Sequence, residues 1–302
     1  MEQDEKFGIL YTAGAYFLWG LLPIYWKLVD EVPAGQILAH RIVWSFVFVS
    51  VLVLITKKGR PFLHAFKALF QTKKQAVQLL AASLVITLNW LTFIWAVNSG
   101  HVVQASLGYY INPLVSIVLG IVFLKEGISR RLIVSFILAS LGVLYLTFSY
   151  GVFPWVSIVL ALSFAFYGLI KKTISIGPMF GLTIETMFVT PIALIYLSAV
   201  SNPALTLESA ITPTGLLLMG AGAATAVPLL LFAAGAQKIP LSMVGFLQYI
   251  APTLMLILGV FVYNEVFTSA HFIAFVLIWS ALFIYMSSWF KRASRKDRQA
   301  EH

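Results

Sequence analysis

Three ionisable side chains lie where a chain in hydrocarbon can least tolerate them. His40 and Arg41 are adjacent in QILAHRIVWSF (36–46), and Glu185 sits in GLTIETMFV (181–189). Arginine at the centre of a spanning helix costs about 2.5–3.5 kcal/mol on insertion scales, so Arg41 must face protein or a water-filled cavity. It lies roughly 10 Å below the nearer end of its apolar run, counted at about 1.5 Å per residue, which is awkward for snorkelling. Ile37, Arg41, Trp44, Ser45 and Phe48 share one helical stripe. A guanidinium in that setting can hold a carboxylate or phosphate by its planar fork, or stack on a substrate ring. The structural alternative is an arginine satisfied by backbone carbonyls or a neighbouring helix.

Glu185 is the one carboxylate well inside an apolar segment. Together with His40 it is the candidate for proton coupling, since imidazole titrates near neutrality. His40 shares a face with Gln36, but a histidine so placed is more often a packed, hydrogen-bonded bundle residue. Arg41 and Glu185 could each close a gate at its own end, or hold opposite ends of a zwitterion. A long-range structural ion pair is the alternative to both.

The elements that must position these groups follow from composition. Of 302 residues, 60% are hydrophobic and 10% charged, against about 25% charged in soluble domains. A hydrocarbon core about 30 Å thick needs ~20 apolar residues per helix. That ruler predicts an all-α membrane protein with ten spans, near 8–28, 34–56, 76–97, 101–124, 130–149, 153–173, 178–200, 213–236, 240–263 and 270–290. The acidic start MEQDEKFG does not read as a removable signal. The run 57–75, KKGRPFLHAFKALFQTKKQ, alternates bases with Phe and Leu and reads as an interfacial amphipathic segment.

Charge gives an orientation. With both termini inside, eighteen of the 20 Lys and Arg residues fall on one side. They include Lys6, the 57–75 loop, Lys125, Arg130, Arg131, Lys171, Lys172, Lys238 and the tail KRASRKDR. The opposite loops carry Asp30, Glu31, Glu208 and Glu265; only Lys27 and Arg41 are left over. This asymmetry follows the positive-inside rule and places anionic lipid beside the basic face. The net charge of +9 therefore points to membrane and not to nucleic acid.

The chain also repeats itself. SLGYYINPLVSIVLGIVFLKE from Ser106 aligns without gaps to GFLQYIAPTLMLILGVFVYNE from Gly245. Tyr110/Tyr249, Pro113/Pro252, Gly120/Gly259 and Glu126/Glu265 coincide, and Phe93/Phe232 keep the same offset. Two five-span halves follow, 8–149 and 150–290, flanked by tails 1–7 and 291–302. Five is odd, so the second half is inverted, and inverted repeats recur in secondary transporters. Pro113 and Pro252 each remove a backbone bond and bend their helices near Asn112 and Gln248. The cavity expected between the halves is lined by Tyr16, Trp19, Arg41, Trp44, Asn89, Trp90, Phe93, Tyr109, Tyr110, Asn112, Tyr167, Glu185, Gln248 and Tyr249. Any one of the aromatics is as readily a packing residue. GAGAATA (220–226) reads as close helix packing.

The paired P–x6–G–x5–E ends of spans four and nine resemble the EamA domains of the drug/metabolite transporter superfamily. AYFLWGLLPIYWKL, HRIVWS and NWLTFIWAVN resemble its RarD group most closely. The resemblance covers about residues 7–290. It implies a multi-pass plasma-membrane carrier of small molecules, with export favoured over import and no substrate specified.

Other classes fit less well. There is no Walker A loop, so the energy source is a gradient. The aspartates are Asp4, Asp30 and Asp297, none deep in a span, and no G-x-S-x-G or H-E-x-x-H occurs, which argues against an enzyme. No cysteine is present, and neither a metal nor a cofactor is expected. A non-transporting receptor or scaffold is the remaining alternative, and the sequence leaves a homodimer open.

Overall fold

The structure is a computed structural model. It describes the backbone of residues 2–99, 101–151, 153–200, 211–263 and 267–300, and side chains throughout these except at 2, 70, 94, 97, 98, 102, 103 and 288–300. The expected outer-loop acids Glu208 and Glu265 lie outside the described residues, as do the side chains of the basic tail.

The described chain forms twelve helices: α1 (Glu2–Lys27), α2 (Ala34–Ile55), α3 (Gly59–Gln71), α4 (Lys73–Asn98), α5 (Val102–Leu124), α6 (Arg130–Tyr150), α7 (Trp155–Thr173), α8 (Pro178–Ala199), α9 (Pro213–Ala236), α10 (Leu241–Gln248), α11 (Ile250–Phe261) and α12 (Ser269–Ala300). Ten stretches are long and apolar enough to cross a membrane, the ninth being α10 and α11 together. Helix is the form that satisfies every backbone group within one apolar segment. The many apolar side chains left exposed, among them Leu54, Ile55, Phe148, Ile195 and Phe261, suit lipid better than water.

The ninth span is divided where the sequence placed one helix. Pro252 has no N–H to offer the carbonyl four residues back, at Gln248. The chain breaks step at Tyr249, whose carbonyl accepts the next bond, from Thr253 N at 3.2 Å. By contrast α5 runs unbroken through Pro113. The 57–75 segment is helical over α3, whose Phe62, Phe66 and Leu69 pack with Leu79 of α4 and Phe180 and Ile184 of α8. This marks one end of the bundle, called here the α3 end.

Packing joins helices distant in sequence. The chief partners are α5 with α7, α6 with α12, α2 with α9, α1 with α9, α2 with α8, α5 with α10, α4 with α7, and α1 with α11. Small residues permit the closest crossings. A Cβ on Gly222 would stand 2.2 Å from the Trp44 carbonyl carbon, so α2 and α9 meet backbone to backbone there. The GAGAATA stretch is thus a packing surface.

Candidate functional site: a cationic recess and a buried ion pair

The crossing at Gly222 sets the geometry around Arg41. Ser45 Oγ donates to the Gly222 carbonyl at 3.0 Å. One turn along each antiparallel helix, Arg41 Nε donates to Thr225 Oγ1 at 3.0 Å. The guanidinium carbon lies 4.6 Å from the ring centre of Trp26 at the end of α1, and 5.7 Å from that of Trp90 on α4. Both distances are within cation–π range. Tyr109 of α5 is close enough to feel the Arg41 charge, and Phe93 meets its ring edge-on at 6.2 Å. Arg41 is only half-buried and Tyr109 is exposed. These groups cluster away from the α3 end, a cation beside aromatic rings, and the cluster is called here the Arg41 recess. Among the described residues no carboxylate pairs with Arg41.

A different arrangement occupies the α3 end. Glu185 Oε1 accepts from Lys171 Nζ at 2.7 Å, and Glu185 Oε2 accepts from the Tyr167 hydroxyl at 3.1 Å. Lys171 also stands over the Tyr167 ring, 5.5 Å from its centre. Lys171 is 1% exposed and Glu185 3%. Gly181 on α8 leaves room for the pair, since a Cβ there would be 3.4 Å from Lys171 Nζ. Further ties close the same end. Lys172 Nζ donates to the Ile239 carbonyl at 2.7 Å, and Gln237 Nε2 to the Ile176 carbonyl at 3.1 Å. Lys238 pairs with Asp4.

Glu126 completes this set and explains the spacing of its motif. Its two carboxylate oxygens accept from the backbone N–H of Leu241 and of Ser242, the latter at 2.9 Å. These are orphan donors in the first turn of α10, where negative charge is favoured. A Cβ on Gly120 would come 2.8 Å from Glu126 Oε2, so the glycine six residues earlier provides the space.

The remaining candidates do not gather around Arg41. Tyr16, Trp19 and Tyr167 pack with Phe164 and Phe232 in the main core, with Tyr167 stacked on Phe232. Asn89 Nδ2 is committed to the Leu160 carbonyl and Ser163 Oγ, both at 2.9 Å, tying α4 to α7. Asn112, Ser116 and Gln248 form a chain: Ser116 Oγ lies 3.3 Å from Asn112 Oδ1 and 3.2 Å from Gln248 Oε1. Tyr249 donates to the Tyr110 carbonyl at 3.4 Å. Pro113 faces Gly245, where a Cβ would meet its carbonyl at 2.7 Å. Trp44 touches Gly222 through its backbone and Cβ. His40 is buried beside the α2–α8 contact, and its Nε2 has no hydrogen-bond partner among the described residues. Lys27, the other leftover base, pairs with exposed Asp30 at 2.9 Å, and that bond holds the Asp30 carboxyl below its ordinary range.

Three residues of these two arrangements escaped the sequence reading. Lys171 counted as an orientation base, yet it is the partner of Glu185. Trp26 was legible only as part of an aromatic run. Thr225 was the single hydroxyl within GAGAATA, a signal that could have marked it as the polar partner of an arginine.

A helical bundle of ten candidate membrane spans with polar groups at both ends of its interior defines a class, the polytopic membrane proteins. Residues 6–148 match the EamA-like transporter family. The chain is 48% identical over 299 residues to the uncharacterized transporter YojE of Bacillus subtilis (strain 168), covering 97% of this chain and 98% of that one. It is 44% identical over 286 residues to protein RarD of Escherichia coli (strain K12), covering 94% and 95%. The chloramphenicol-sensitive protein RarD of Pseudomonas aeruginosa is 28% identical over 277 residues, covering 92% of each chain. One crystal structure has the same fold, with a TM-score of 0.72 over 92% of this chain and 96% of that one at 15% identity. The chain belongs to the EamA-like transporter family and is a homologue of RarD.

Proposed function

We propose that this transporter is a plasma-membrane secondary carrier working by alternating access, with its solute entering the Arg41 recess. The observation that carries the reading is the contrast between the two ends of the bundle. One end is tied shut by Lys171–Glu185–Tyr167 and its neighbours, and the other leaves Arg41 only partly buried among aromatic rings. The eighteen bases that the sequence gathers on one side, with the run containing α3 among them, support an orientation with both termini in the cytoplasm, so the recess faces outward. Export is the direction that the resemblance to the RarD group favours.

The helix partnerships support two inverted halves. Exchanging each span with the one five later turns the α5–α7 contact into the contact of α10 and α11 with α1, and turns α2–α9 into α8–α4. It returns α6–α12, α2–α8 and α5–α10 to themselves. A bundle that maps onto itself in this way can reach the opposite-facing shape by exchanging the conformations of its halves. The family match also ends at 148, beside the boundary expected between the halves. In this scheme the ion pair is an inner latch, and opening inward separates Lys171 from Glu185. The amphipathic α3 lies along the anionic inner leaflet.

The natural chain has no cysteine, which makes a single reporter clean. Gly181→Cys places a thiol against the ion pair without a severe clash. Its labelling by a membrane-permeant thiol reagent should be slow at rest and rise during solute counterflow in proteoliposomes. A thiol equally inert at rest and during counterflow would sink the latch.

A further inference from the structure

The recess carries a charge that no described acid balances. Arg41 spends its Nε hydrogen on Thr225. Neither of its terminal amino groups has a hydrogen-bond or ion-pair partner among the described residues. Glu185, the only carboxylate deep in a span, is held by Lys171 and Tyr167 at the opposite end. The polar chain Asn112–Ser116–Gln248 is uncharged. A half-desolvated guanidinium with open in-plane edges favours a planar anion that accepts both hydrogens in parallel. Trp26 and Trp90 flank that cation, and Tyr109 and Phe93 extend the aromatic wall.

We infer that the recess binds a monoanionic aryl carboxylate, with the carboxylate on the free edge of Arg41 and the ring against the indoles. This rests on the reading of the recess as the solute site and narrows its ligand class. A single cation matches a single negative charge. The recess contains no described acid to receive an ammonium group, and a buried cation without a partner is strongly disfavoured. An amino acid of the same skeleton would therefore leave its ammonium uncompensated, and an amine would meet Arg41 as a like charge. The zwitterion expectation, which assigned the ammonium to Glu185, has no support in a carboxylate already bonded to Lys171.

Three probes share one ring and differ in charge: phenylacetate, phenylalanine and phenethylamine. Competition against radiolabelled phenylacetate on the full-length protein in nanodiscs should rank them in that order. Phenylacetate should bind at least about tenfold more tightly than phenylalanine, a step equivalent to about 1.4 kcal/mol, and phenethylamine should not compete. Arg41→Gln should abolish phenylacetate binding and Arg41→Lys should retain part of it, with both variants monodisperse and melting near the parent. Phenylalanine or phenethylamine binding as tightly as phenylacetate would overturn the inference, as would phenyl phosphate binding more tightly, or Arg41→Gln binding normally. A counterflow panel separates the two levels. Movement of another solute with phenylacetate inert overturns the ligand class and leaves the carrier standing. Failure of every solute, with Arg41-dependent phenylacetate binding intact, overturns the carrier and leaves the ligand class.

Discussion

Arg41 and Lys171 are both cations inside spanning helices, and the bundle treats them in opposite ways. Lys171 is sealed against Glu185 and Tyr167 with 1% of its side chain exposed. Arg41 is only partly buried, bonded to a hydroxyl and flanked by two indoles, without an acid among the described residues. A buried ion pair gains little net stability over an apolar pair, yet removing one partner is costly because the other charge is left in low dielectric. A partly buried, aromatic-flanked cation with no described acid beside it holds less of the fold together, and it gains most when an anion arrives. One site is therefore expected to govern stability and the closed state, the other to govern recognition.

That contrast can be broken by substitution. Glu185→Ala strands Lys171 and should destabilise the protein by about 3–5 kcal/mol, read as a large loss of melting temperature in detergent. The double change Glu185→Leu with Lys171→Met should recover most of that loss, as apolar replacements of buried pairs do. Recovery that fails would mean the pair contributes more than mutual neutralisation. Next comes Glu126→Ala, which removes two charge-assisted bonds from the first turn of α10. A loss of about 2–3 kcal/mol is expected, with faster hydrogen exchange at Leu241 and Ser242. Gly222→Ala forces α2 and α9 apart at Trp44 and should cost about 1–3 kcal/mol as overpacking. It should also weaken binding in the recess, since Arg41 and Thr225 separate together. The smallest stability effect belongs to Arg41→Gln, under about 1 kcal/mol, because a partly buried cation with no described acid partner holds little of the fold together. A thermal loss as large as that of Glu185→Ala would erase the distinction between the two sites.

Much of the architecture was legible because hydrocarbon imposes a simple length rule. Each of the ten expected spans corresponds to a helix or, in the ninth, to a pair of helices. The amphipathic run 57–75 was legible because its apolar residues recur at helical spacing, and Phe62, Phe66 and Leu69 do face the bundle. The candidate site was less legible. Counting bases by side assigned Lys171 to orientation, since a count at span ends cannot see a carboxylate on the next helix. Aromatic residues gave no reliable direction: Trp90 stands beside Arg41, whereas Trp19 packs edge-on against Phe164 in the core. The same residue type serves both settings, and only the neighbours decide.

The amino-acid sequence by itself determined that this is a helical protein with ten candidate membrane spans, set the expectation that its bases lie mostly on one side, and marked Arg41 and Glu185 as its costly interior charges. Those properties depend on composition and periodicity along a single chain, where water and lipid act on each segment separately. Tertiary structure alone decided which charge is neutralised and which is left open. It paired Glu185 with Lys171 across α7 and α8, and carried Thr225, Trp26 and Trp90 to Arg41 from three other helices. It also gave the P–x6–G–x5–E motif its purpose at Glu126, where Gly120 makes space for a carboxylate that caps another helix. Electrostatic pairing and close packing act through space over a few ångströms, so their outcome is set by which helices become neighbours.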